Sequence, residues 1–188
     1  MTPLEVLDAE FSGASDRAAA IIAASVLDDT LRELLEAGLV PERPSGIDPF
    51  APGQELGSFM SRAKMAFLFG LIDDSERKRL ALVAKIRNEF AHLAQEMSFS
   101  SSRVADRCRE LSPPVQLVPP RYVPGDLEIE KLHEFKTPIA NRDNPRALFE
   151  EATLFLLYVL MGRIAQARFK RPTSPSPFIN AAEPAVPH

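Results

Sequence analysis

Arg87, Asn88 and His92 are the residues whose types and spacing could carry chemistry in this chain. On a helix, at about 100° per residue, Arg87 and His92 lie roughly 140° apart, with Asn88 between them and one turn from His92. A histidine with an unperturbed pKa of about 6.5 can take the proton of a ribose 2′-hydroxyl. A guanidinium beside it can neutralise charge growing on the phosphate oxygens. Together they would make a metal-free ribonuclease site, but one Arg and one His supply only half of an acid and base pair, so two copies of the chain are needed. The same residues also have a structural use. Arg87 stands four after Val83 and three before Phe90, so its stem runs along a buried stripe and its head needs a carboxylate. Asp28 or Asp16, from the helix upstream, is the expected partner. A solvated acid, as in an Asp29 to Arg32 contact, is the alternative. On spacing alone the structural use is preferred, with Asp16, Asp28, Arg87, Asn88 and His92 forming a polar cluster between helices.

The elements that must position these residues are helices. Ser15 or Asp16 caps an alanine-rich helix in which Leu27, Leu31, Leu34 and Leu35 recur at helical spacing, closing at Gly38 before Pro41. Pro41 to Gly53 holds four prolines and two glycines and reads as loop. A second helix is expected over Leu56 to Leu71, with Phe59, Ala63, Ala66, Phe67 and Gly70 in one apolar stripe that Arg62 and Lys64 leave. Asp73 and Glu76 form a capping box for a third helix, which carries the Arg87 to His92 segment to about Gln95 along a seam of Val83, Ile86, Phe90, Leu93 and Met97. Ser100 to Ser102 cap a short helix to Leu111. The proline-dense stretch that follows reads as connector, with one short helix near Leu127 to Phe135. Pro145 opens a last long helix to about Phe169 that is apolar on more than one face, as expected in a bundle centre or against a second subunit.

The fold class is therefore all-α: one helical domain over 1–170, with a core at 15–111, a connector at 112–145 and a final helix at 146–169, then a tail at 171–188. The tail's five prolines after Arg171 predict disorder. The 188 residues are 45% hydrophobic and 26% charged, which excludes collagen, coiled-coil and disulfide-scaffold classes. A net charge of -4 gives no field to draw nucleic acid, and the basic cluster Arg77-Lys78-Arg79, with Lys85 beyond it, has acids on both sides. One cysteine, Cys108, and an N-terminus with three acids in ten residues predict an unexported, cytoplasmic chain. The longest uncharged apolar run, Thr153 to Gly162, is half of a membrane span. No metal spacing and no cofactor motif is present, so neither is expected.

Four blocks in order resemble the mannitol operon repressor (MtlR) family: Ser15-Asp16-Arg17 opening a helix that reaches Leu27-Asp28; Leu56-Gly57-Ser58-Phe59 with Arg62 and Lys64; Leu68 to Ile72; and Ile86 to His92. The resemblance covers about Ser15 to Leu111. It implies an all-helical bacterial cytoplasmic protein in negative control of sugar-alcohol operons, acting through a protein partner and as a dimer. Direct DNA reading is not expected, because no helix is basic enough to own a major groove. The Arg87-Asn88 and His92 pattern is also similar to the Arg-Asn-x3-His signature of the HEPN superfamily. That resemblance implies an alternative, a metal-independent endoribonuclease with Arg87 and His92 catalytic across a dimer interface, Asn88 orienting, and RNA as substrate.

Overall fold

A computed structural model describes residues 3–40, 48–91, 97–111, 116–117, 136–137 and 143–170. His92, Leu93, the helix expected at 127–135 and the tail at 171–188 lie outside these described residues. Among the described residues six helices follow in order: α1 (Pro3–Phe11), α2 (Asp16–Gly38), α3 (Phe59–Leu68), α4 (Asp74–Ala91), α5 (Ser102–Leu111) and α6 (Pro145–Phe169). Between α5 and α6 a two-residue antiparallel ladder pairs β1 (Gln116–Leu117) with β2 (Lys136–Thr137). The bundle is all-α apart from that ladder, which stands where the sequence predicts plain connector.

Helix starts follow the capping chemistry. Ser15, rather than Asp16, caps α2 and accepts the Ala18 N–H. Ser58 and Ser61 satisfy each other's backbone N–H groups at the start of α3. The predicted box opens α4: Asp73 Oδ1 accepts from the Glu76 N–H at 2.8 Å, and Glu76 Oε2 accepts from the Asp73 N–H at 2.7 Å. Asn144 caps α6 with Pro145 in its first turn. α3 ends earlier than the apolar pattern predicts. Gly70 takes φ 69° and the chain reverses, with the Leu71 N–H on the Ala66 carbonyl and the Gly70 N–H on that of Phe67. Gly57 is required for space, since a Cβ there would meet the Ala51 carbonyl oxygen at 2.6 Å.

α2 and α6 are the central pair. Ala19, Ala20 and Ala23 of α2 let neighbouring backbones approach, and Leu27, Leu31, Leu34 and Leu35 are fully buried. α6 buries Leu148, Phe149, Leu156, Leu157 and Leu160 against α2 and α5, so its broad apolar surface is covered within the bundle. Phe99, ahead of α5, joins the layers: its ring lies 4.9 Å from that of Phe90 on α4 and 5.0 Å from that of Phe149 on α6. Buried hydroxyls stay local, Thr153 donating to the Phe149 carbonyl and Thr30 to that of Val26. Cys108 is fully buried on α5, and burial pushes its thiol up to about 12. A thiol reagent at pH 8 is expected to leave the native protein unlabelled and to label it one-to-one in denaturant; rapid native labelling contradicts this packing. No helix among the described residues is long and apolar enough to cross a membrane.

Candidate interaction surface

Among the described residues singled out by the sequence, Asp16 and Asp28 do not meet Arg87. Arg87 is exposed, and its Nη1 donates to the Oδ1 of Asn88, also exposed, at 3.1 Å. Asp28 pairs instead with Arg62 of α3. Asp16 accepts from the Phe99 N–H at 2.9 Å and from Arg146 Nη1 of α6 at 3.0 Å. The acids of α2 do clamp helices together, but with other arginines. The reason is azimuth. Val83, Ile86 and Phe90 turn inward, which leaves Arg87 on the border of α4 with its head in water, while α3 brings Arg62 directly onto Asp28.

The clamps that organise the bundle were not legible as pairs. Arg62, expected to leave the apolar stripe of α3, is 8% exposed and packs inward with Ala63 and Ala66. Its guanidinium lies 6.0 Å from the Phe50 ring, which Arg32 approaches at 5.0 Å. Arg146 holds Asp16, Glu150 and the carbonyls of Phe11 and Ala14, tying α6 to the α1–α2 corner. The Glu150 carboxylate is the main cause that holds its pKa above the ordinary arginine value. On the far side Arg107 donates to Glu89 at 2.6 Å, with Arg103 at 3.6 Å, and Arg107 above all holds that carboxyl below its usual range. Glu76 has a second role beyond its cap, since its Oε1 accepts from Arg163 Nη2 at 3.0 Å. Among the described residues no three His, Cys, Asp or Glu side chains gather as a metal site.

With Arg62 and Ala66 inward, α3 turns a different set outward. Met60, Phe67, Leu68 and the capping Phe69 are 41, 36, 60 and 52% exposed, with exposed Lys64 between the first two. They form one face, since 60, 64, 67 and 68 recur at helical spacing. Phe67 was expected in the core, and here Arg77 lies over its ring at 5.4 Å. The reversal at Gly70 sends Leu71 and Ile72 inward and leaves Phe69 at the lip of a cleft. That cleft, about 290 Å³, runs between the α3–α4 turn and the end of α6 and is lined by Phe69, Leu71, Arg163, Gln166, Ala167 and Lys170. Exposed large apolar groups this concentrated are the mark of a contact surface.

The sequence matches no family model and no curated protein. The fold is similar to that of a chain in the X-ray structure of the MtlR–HPr complex from Escherichia coli, at 20% identity and a TM-score of 0.55. The likeness covers 87% of this chain and 98% of that one, so nearly the whole of that helical scaffold has a counterpart here.

Proposed function

We propose that this chain is an MtlR-like regulator that lowers expression of a sugar-alcohol operon as a cytoplasmic homodimer, by binding another protein and without reading DNA bases. The observation that carries the reading is the shared scaffold with a chain from an MtlR complex with HPr, together with the block resemblance to that family. The surface charge agrees. On α4 and α5 the cations are interleaved with acids, Asp74 with Arg77 and Lys78, and Glu89 with Arg103 and Arg107, so these helices present no acid-free basic strip to a groove. Calorimetric titration with HPr is expected to show a complex, and gel shifts across a salt series are expected to show no sequence-selective DNA binding. No HPr complex, or tight operator-selective binding, overturns the reading.

One observation favours the alternative. Arg87 is solvent-facing and held by Asn88, which leaves its guanidinium open to a phosphate in the way that a HEPN-like endoribonuclease would use it with His92. Total RNA incubated with wild type and with His92→Ala separates the two: the regulator leaves RNA intact with both, and cleavage lost in the variant establishes the nuclease. Arg87→Ala itself is expected to shift stability by no more than about 0.5 kcal/mol, because it removes an exposed side chain with no carboxylate partner among the described residues. A large fall in melting temperature would restore Arg87 to a structural clamp.

A further inference from the structure

We infer that the outward face of α3 and the adjoining cleft are one docking groove, and that its occupant is an acidic amphipathic helix of a partner protein. The groove has an apolar face and a mixed cleft, whose walls include Arg163, Gln166 and Lys170. Met60, Phe67 and Leu68 make a helical face, and Phe69 leads from it to Leu71 and Ala167 inside a concavity of about 290 Å³. An amphipathic helix laid along α3 buries its stripe on the first and seats an anchor side chain in the second.

Charge selects the occupant's other face. Of the acids beside the groove, Asp74 is paired with Arg77 and Lys78, Glu76 and Asp73 face Arg163, and Glu33 holds Arg168. Lys64 and Lys170 are exposed and in no ion pair among the described residues. On a chain of net charge -4 the rim of this groove is thus positive, and carboxylates beside the partner's apolar stripe complement it. A second copy fits less well, because Lys64 in mid-face would meet its own equivalent near a two-fold axis. An anionic bilayer supplies charge and apolarity but, being flat, cannot fill the cleft.

The inference rests on the reading that the chain works through a protein, but its test does not need HPr. The full chain is titrated with two fluorescein-labelled amphipathic helices of about five turns, alike in their leucine faces and carrying either glutamate or lysine on the other. The glutamate helix is expected to bind, and Leu68→Ser with Phe69→Ser, both exposed positions, to weaken it by about tenfold or more at an unchanged melting temperature. Lys64→Glu with Lys170→Glu is expected to reverse the preference toward the lysine helix, which mere stickiness would not do. Equal binding of both helices, binding of neither, or no effect of Leu68→Ser with Phe69→Ser overturns the groove. So does a dimer in sedimentation, or adhesion to phosphatidylserine vesicles, that the serine variant abolishes while the glutamate helix goes unbound. HPr bound equally by wild type and serine variant, with neither helix bound, removes the groove and keeps the regulator. The glutamate helix bound with HPr refused does the reverse.

Discussion

Asp28→Asn is expected to cost about 3 kcal/mol, far more than an isosteric change at a half-exposed acid would suggest, because it strands a buried charge. Arg62 is 8% exposed, its Nε has no partner, and Asp28 is the carboxylate that compensates it. In a chain of this size the loss lowers the melting midpoint by roughly 6 to 12 °C. The partners are not symmetric. Arg62→Met keeps an apolar stem at a buried position and leaves Asp28, whose side chain is 31% exposed, free to hydrate, so that change is expected to cost only about 1 kcal/mol. Combining the two substitutions should recover most of what Asp28→Asn loses, a coupling that a double-mutant cycle reads directly. Equal costs for the two single variants would show that no uncompensated charge is involved.

Phe99→Ala is the second large effect, at about 3 to 5 kcal/mol. Phe99 lies in no helix, yet it is 2% exposed between Phe90 of α4 and Phe149 of α6, and its own N–H is anchored on Asp16 of α2. Three elements therefore meet on one loop residue, and a cavity opened there has a wall from each. The control is Phe169→Ala, whose ring is 95% exposed and whose removal should change stability by less than about 0.5 kcal/mol. Chemical denaturation measures both; a Phe99 variant within about 1 kcal/mol of wild type would mean that the layers close without it.

What could be read from residue order was the local chemistry. Ser15, the Asp73 and Glu76 box, and Pro145 each start a helix within a few residues, and those signals sit where the structure uses them. α1 went unread because its signal is one turn of Leu7 and Phe11 in a segment with three acids, and its burial comes from packing on α2 and α6. The interaction face was hidden for a related reason. An arginine in an apolar stripe reads as a reason to rotate the helix, and only the presence of Asp28 opposite makes Arg62 an inward residue and Phe67 and Leu68 outward ones. Pairings such as Asp16 with Arg146, 130 residues apart, depend on helix crossings that no local pattern records. Arg87 showed the converse, a stem flanked by core positions and an exposed head that, among the described residues, bonds Asn88.

Glu76 binds the opening amide of α4 through one oxygen and Arg163 at the cleft wall through the other. An anion that draws Arg163 aside leaves that carboxylate, 8% exposed, desolvated and facing only an amide. Swinging out to water relieves it, and in swinging out it releases the Asp73 N–H ahead of the first turn of α4. Occupancy at the tip of the molecule would then be broadcast as faster deuterium uptake at the Asp73 amide, giving a reporter that needs no knowledge of what arrived.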